Sequence, residues 1–198
     1  MRTAVILTAT LWLGAASLVA GAGAADRSET HAGDASCSAS SLPPGRPVAG
    51  LRGEVASMRL RLIAAARRCD YATLTRLSNE VGHGLGYSYG GDHSAARFWR
   101  TLERNGPGPR PLRALVKVLA MPFATVRADG GAASPNNARF YVWPSAHRLQ
   151  PSEGDWRALG TLYPREQIER MRRGGSGYLG YRVGITRNGD WQFFVAGD

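Results

Sequence analysis

Asp92, His93 and Ser94 are consecutive residues of the three types that form a hydrolase triad. In a triad the nucleophile, base and orienting carboxylate converge from separate elements, which adjacent residues cannot do. The sequence also lacks the glycine-flanked serine of a nucleophile elbow. The run therefore indicates the capped start of a helix, and no catalytic residue is predicted. A hydrolase acting on cell-wall material, with Asp92, His93 and a distant partner, is kept as an alternative.

Three histidines could assemble a metal site with nearby carboxylates. They are His83, His93 and His147, with Asp92 or Asp155 as further ligands. No pair has the i, i+4 spacing of a helical metal site, and neither cysteine forms a tight pattern with a histidine. The sequence therefore predicts neither a metal nor another cofactor.

Aromatic residues near glycine-rich turns are the stronger candidates for binding. Tyr87 and Tyr89 share a face of the segment GYSYGG, and Trp99 could close a pocket with them. Aromatic walls with a few polar groups hold sugars or apolar ligands. The predicted ligand-binding residues are Tyr87, Tyr89, Asp92, Arg97, Trp99 and Trp143. The alternative is that the aromatic members of this set fill the core.

The charge of the chain indicates the chemistry of a partner. The 198 residues carry a formal net charge of +10, almost all of it from arginine, with Lys117 the only lysine. A basic exported protein attracts anionic cell-envelope polymers through unspecific electrostatics. A GC-rich genome would give the same arginine bias without any such partner. Nucleic acid is not expected, because its binding needs basic and aromatic residues interleaved on one face.

The first residues predict export. Arg2 precedes an apolar stretch from Ala4 to Ala25, and Ala22-Gly23-Ala24 offers a small-residue cleavage site. Residues 1–24 are therefore interpreted as a signal peptide, with an uncleaved membrane anchor as the alternative. No transmembrane segment is expected after cleavage, and the predicted location is secreted or extracytoplasmic, in the cell envelope or periplasm.

The two cysteines fit that compartment. An oxidising exterior permits a disulfide between Cys37 and Cys69. The alternative is a buried Cys69 and a free, exposed Cys37. Residues 25–48 are rich in serine, glycine and proline without periodicity, which predicts a flexible lead-in that Cys37 would anchor.

Residues 49–198 predict a single α+β domain with helices in its first half. Apolar residues at spacings of three and four predict a helix over 50–69, and Asp70 suits the N-cap of a second helix over 71–80. Asp92 or Ser94 would cap a third helix from Ala95. Pro111 suits the first turn of a fourth helix, and a short strand is expected over 81–89.

Strands and two shorter helices complete the predicted domain. FYVWP reads as a strand, Asp155 is predicted to cap a helix beginning at Trp156, and Pro164 is predicted to open another. The segments YRVGIT and DWQFFVAG flank Asn188-Gly189, which predicts a hairpin with a two-residue turn. In that register Gly184 lies opposite Phe193, whose ring would cover the glycine. Large apolar groups on both hairpin faces predict a sheet covered at least partly on both sides.

The motifs YSYGGD, YVWP, GYLGYRVGI and WxFFVAGD, in this order, resemble an uncharacterised family of secreted bacterial proteins. The resemblance covers residues 85–198 and implies a shared fold and an extracytoplasmic location, but no activity. More loosely, helices followed by a terminal hairpin resemble the cone-shaped α+β fold of nuclear transport factor 2-like proteins, which hosts enzymes and binding proteins alike. The expected function is a non-catalytic module that binds an anionic or small ligand. A structural or protein-interaction role is the third reading.

Overall fold

The computed structural model describes residues 37–80, 85–88, 94–127, 139–148 and 150–197. These residues belong to one compact unit, Ala32–Asp198. Helices pack on one antiparallel sheet, which confirms the predicted α+β class. The predicted signal peptide and residues 25–36 of the predicted lead-in lie outside the described residues. No helix among the described residues is long and apolar enough to cross a membrane.

The first two helices follow the predicted pattern. Helix α1 spans Gly53–Arg67 and buries the apolar face read from the sequence, and α2 spans Tyr71–Asn79. Asp70 caps α2 as predicted, since its Oδ1 accepts a hydrogen bond from Thr73 N at 2.8 Å. Cys69 joins the helices with a φ of +53°, the left-handed conformation that usually falls to glycine after a helix.

The cysteines form the predicted disulfide. Cys37 and Cys69 are bonded across a sequence separation of 32, with Cα atoms 6.0 Å apart. A loop of this length is worth roughly 3–4 kcal/mol to the folded state. A second contact holds the same segment, because the buried Glu103 accepts a hydrogen bond from Ser38 Oγ at 3.1 Å. The described start of the chain is thus fixed to the helices at two points.

Helices α3, Ala95–Asn105, and α4, Pro111–Leu119, complete the larger helical layer. Ser94, one of the two predicted caps of α3, accepts a hydrogen bond from Arg97 N at 3.4 Å. Pro111 stands in the first turn of α4 as predicted. Helix α4 contacts both α1 and the sheet, so its apolar residues lie at the centre of the core.

The sheet is an antiparallel meander of four described strands in chain order. Its inner face packs on the helices through side chains such as Trp143, Val183, Ile185 and Phe194. No strand is predicted from the sequence over residues 124–127. The strands are β1 (Ala124–Arg127), β2 (Arg139–Trp143), β3 (Arg182–Thr186) and β4 (Trp191–Val195).

The hairpin of β3 and β4 is confirmed, but its predicted turn is wrong. Gly184 lies opposite Phe193 as predicted, whereas Ile185 pairs with Trp191 because the register shifts after Gly184. Gly189 takes a φ of +90°, and its N–H donates to Thr186 O at 3.0 Å. This geometry is a three-residue loop with a left-handed glycine bulge, which adds one residue to the predicted two-residue turn.

Two further helices pack beside the sheet around their own apolar cluster. They are α5 (Glu153–Leu159) and α6 (Arg165–Arg173). The predicted cap of α5 is wrong: Ser152 is the N-cap, and Asp155 is the third helical residue of a capping box. The buried hydroxyls of Tyr163 and Tyr178 lie 3.2 Å apart, and Tyr163 Oη accepts from Tyr181 N at 2.8 Å, which fixes the chain before β3.

Candidate functional site

The face of the sheet turned away from the helices lines a cavity of about 460 Å³, called here the outer-face cavity. Strand pairing explains its walls, because Val126 lies opposite Phe140, Val142 opposite Gly184, and Gly184 opposite Phe193. Residues paired across neighbouring strands point to the same face. The lining residues are Gly86, Val126, Arg127, Phe140, Val142, His147, Arg182, Phe193 and Val195.

Glycine 184 sets the shape of the cavity floor. The Phe193 ring lies over Gly184, and a Cβ on that glycine would collide with the ring. The predicted aromatic cover over a strand glycine is therefore confirmed. The ring thus occupies the space that a side chain at residue 184 would need.

The segment that contains Gly86 forms one side of the cavity. Gly86 N donates to Gln192 O at 2.9 Å, and Phe194 N donates to Gly86 O at 2.8 Å. These bonds make one parallel bridge to β4. Residues 81–84 and 89 of the predicted strand lie outside the described residues, and 85–88 show this single bridge rather than a strand.

Arg182 is one of the two arginines that line the outer-face cavity, the other being Arg127. Its side chain is half-buried, and one Nη2 hydrogen bond goes to the carbonyl of Gly197. Its Nε is buried and has no hydrogen-bond partner among the described residues. Arg182 also forms no ion pair within that part of the chain. A guanidinium that is left partly unpaired between apolar walls favours an anion.

His147 lies at the same cavity on a short turn that follows β2. The 3₁₀ turn Ser145–His147 begins after a cis Trp143–Pro144 peptide bond. The His147 Nδ1 lies 2.8 Å from Pro144 O. A carbonyl oxygen only accepts, so Nδ1 carries the proton of the neutral ring and Nε2 is left as an acceptor.

The charge state of His147 follows from its surroundings. Burial lowers the pKa of His147, and the positive charges of Arg148 and Arg182 lower it further. The Pro144 carbonyl and Asp155 act in the opposite direction without reversing the shift. The imidazole is therefore neutral at pH 7, because its pKa lies below the ordinary value of about 6.5.

Asp155 fixes the turn that carries His147. Its carboxylate accepts from the buried Ser145 hydroxyl and from Ser152 N at 2.9 Å and Ser152 Oγ at 2.8 Å. Burial opposes ionisation of this carboxyl, but these hydrogen bonds outweigh it and lower the pKa of Asp155. Asp155 is thus a charged anchor that ties the start of α5 to the edge of the cavity.

The six residues predicted to bind a ligand do not all come together. Tyr87 is half-buried with its ring 6.2 Å from that of Trp99, as the predicted pocket requires. Trp99, however, is 1% exposed and stacks on Trp191 at 5.6 Å, and Arg97 is exposed on α3. Tyr89 and Asp92 lie outside the described residues.

Trp143 contacts different residues from Trp99. It is 0% exposed, and its ring centroid lies 5.5 Å from that of Phe123. Its indole Nε1 has no hydrogen-bond partner within the described ranges. Because both tryptophans are buried on the inner side of the sheet, neither offers surface to a ligand in this conformation. Ligand binding at the six residues stays a prediction.

One sequence signal concerned the outer face of the hairpin. Large apolar residues on both hairpin faces predicted a sheet covered at least partly on both sides, and Phe193 and Val195 line a cavity on that face. Arg182 carried no such signal, because a strand arginine is ordinarily solvated. The sequence makes His147 a candidate only as a metal ligand. Among the described residues, no group of three or more histidine, cysteine, aspartate or glutamate side chains could hold a metal ion.

A second, smaller cavity of about 290 Å³ lies between α5 and α6. Trp156, Tyr163 and three arginines line it, and the Arg172 guanidinium lies 5.7 Å from the Trp156 ring centroid. Arg172 also pairs with the exposed Glu153. This cavity is more polar than the outer-face cavity, and its arginines include one that is already paired.

Comparison with known proteins gave no match: no protein-family model, no curated protein and no solved structure matches this chain significantly.

Proposed function

We propose that this chain is an extracytoplasmic, non-catalytic binding protein whose outer-face cavity takes up a carboxylate with an apolar chain. The observation that carries the proposal is Arg182, a half-buried cation that lines the cavity and forms no ion pair among the described residues. A carboxylate that reached its guanidinium from the cavity would offset the charge. The binding role is the one expected from the sequence. The proposed site, however, lies on the opposite face of the sheet from the predicted residues Trp99 and Trp143.

The apolar walls favour a ligand with a hydrocarbon chain. Val126, Phe140, Val142, Phe193 and Val195 line the cavity beside Arg182. Each methylene that leaves water contributes about 0.8 kcal/mol. A volume of about 460 Å³ corresponds to about 15 groups the size of a water molecule. A carboxylate with ten to fourteen carbons, on the order of that size, matches the cavity.

The proposed location rests on the first residues and on the disulfide. The leader pattern of residues 1–24 is typical of a secretory signal. The Cys37–Cys69 bond suits an oxidising compartment. The resemblance to secreted bacterial proteins supports the same location.

The test is calorimetric titration of the purified protein with dodecanoate below its micelle concentration. Arg182→Gln removes the charge, and we expect it to weaken binding about 10- to 100-fold, since a hydrogen bond to a charged group is worth about 1.5–3 kcal/mol. Arg187→Gln is the matched control, because Arg187 is exposed at the end of the same hairpin and does not line the cavity. The proposal fails if dodecanoate does not bind, or if both variants bind it as the wild type does.

A further inference from the structure

His147 is a second polar residue that lines the outer-face cavity, and the proposed carboxylate does not use it. We propose that the ligand is a hydroxy acid, whose carboxylate pairs with Arg182 and whose nearby hydroxyl donates a hydrogen bond to His147 Nε2. This inference rests on the proposed function and narrows its ligand class.

The hydrogen bond of the other ring nitrogen determines what Nε2 can do. His147 Nδ1 lies 2.8 Å from the Pro144 carbonyl oxygen, which requires a proton on Nδ1. A neutral imidazole carries one N–H, so Nε2 presents a lone pair. No described residue donates a hydrogen bond to that nitrogen. His147 lines the cavity, so a ligand there could do so. A donor from a ligand is therefore the complement that this atom lacks.

The surrounding charges keep this acceptor available. Burial and the cations Arg148 and Arg182 hold the pKa of His147 below its usual value, so Nε2 is unprotonated at pH 7. Asp155 is the acidic group that acts on the ring, and its carboxylate is occupied by Ser145 and Ser152. Arg182 and His147 thus offer the ligand one charged donor and one neutral acceptor.

Arg182 and His147 together determine which polar head group the ligand must carry. A plain fatty acid would pair with Arg182 but would place methylenes against Nε2. That acceptor would then lose its contact with water without gaining a hydrogen bond, which costs free energy. A simple alcohol would satisfy Nε2 and leave the guanidinium without an anion. A carboxylic acid with a hydroxyl close to the carboxylate satisfies both, while its chain covers the apolar wall that includes Val142 and Phe193.

The experiment compares dodecanoate with 2-hydroxydodecanoate and 3-hydroxydodecanoate by calorimetry at pH 7.5. We expect at least one hydroxylated acid to bind the wild type about 2- to 10-fold tighter than dodecanoate, the worth of one neutral hydrogen bond. His147→Leu should abolish this preference, so that the variant binds all three acids with the same affinity. Equal affinity of all three acids for the wild type, or a preference that survives in His147→Leu, would overturn the inference.

A measurement on the wild type makes the result independent of how well the variant folds. The ¹⁵N shifts of the His147 ring should report the Nδ1–H tautomer, and Nε2 should shift with the hydroxylated acid and not with dodecanoate. An Nε2–H tautomer would also overturn the inference. If dodecanoate binds through Arg182 without a hydroxyl preference, the proposed function stands and this inference falls. If none of the acids binds, both fall.

Discussion

At the scale of single residues, two positions of the fold restrict which residue can occupy them. Cys69 takes the left-handed conformation after α1, and the N–H groups of Cys69 and Asp70 bond to Ala66 O at 3.1 Å and Ala65 O at 3.0 Å. This is the Schellman arrangement, with cysteine in the position that glycine usually occupies. The conformation costs a cysteine about 1–2 kcal/mol, which the disulfide to Cys37 outweighs.

Gly184 is the other such position, and its replacement is a direct test of the cavity floor. Gly184→Ala would place a Cβ in the Phe193 ring. We expect the free energy of unfolding to fall by about 1–3 kcal/mol, the usual range for overpacking, and dodecanoate binding to weaken as the ring moves into the cavity. Chemical denaturation and calorimetry on the same preparation measure both effects.

The matched control for this substitution is Gly53→Ala at the start of α1. A Cβ there meets no atom within 4 Å, and the backbone is helical. Its stability should stay at the wild-type value or rise slightly, since alanine favours helix. A Gly184→Ala protein as stable as Gly53→Ala would contradict the close approach of the Phe193 ring.

At the scale of elements, local signals predicted the helices well. The caps at Asp70 and Ser94 and the proline at Pro111 act within three residues of the helix start, so the sequence alone contains them. The cap of α5 was misassigned because serine and aspartate three residues apart can each start a helix, and Ser152 does so here. Strand β1 was missed because ATVR is only four residues long and mostly exposed, and so short an alternation does not distinguish a strand from a loop.

The outer-face cavity could not be predicted because it depends on pairings between distant segments. Val142 and Gly184 meet only through the register of β2 and β3, which lie forty residues apart in the chain. The predicted hairpin pairing is correct from Arg182 to Gly184. From Ile185 onward the pairing differs by one residue, because the turn that contains the left-handed Gly189 is one residue longer than predicted. Likewise, nothing in the sequence indicates that the turn after Pro144 returns His147 to the cavity.

Strand β1 provides a test of which sheet face binds the ligand. Val126 lines the cavity and is 38% exposed, and its neighbour Thr125 is exposed on the opposite side of the same edge strand. Val126→Asp should weaken dodecanoate binding at least about tenfold, because it would place a charge against the apolar chain of the ligand, where a desolvated carboxylate has no partner. Thr125→Asp should leave it within about twofold, since changes at an exposed position away from the site have small effects. Equal effects of the two variants in calorimetry would place the ligand elsewhere.

At the scale of the whole molecule, the net charge and the cavity predict two kinds of binding that differ in salt dependence. The formal charge of +10 is carried largely by exposed arginines, so attraction to anionic envelope polymers or lipids acts over the Debye length. That length falls from about 30 Å at 10 mM salt to about 3 Å at 1 M. Arg182, in contrast, is half-buried and is screened much less.

We therefore expect the protein to sediment with phosphatidylglycerol vesicles at 10 mM salt and to be released at 1 M, while dodecanoate binding keeps most of its affinity. Replacing Arg165 and Arg173, which are exposed at the two ends of α6, by glutamine should weaken vesicle binding and leave dodecanoate affinity unchanged. Arg182→Gln should do the reverse, because one half-buried charge adds little to the long-range field. If vesicle binding survives 1 M salt, or if Arg182→Gln abolishes it, the charge and the cavity would form one site, and the separation argued from their exposure would be wrong.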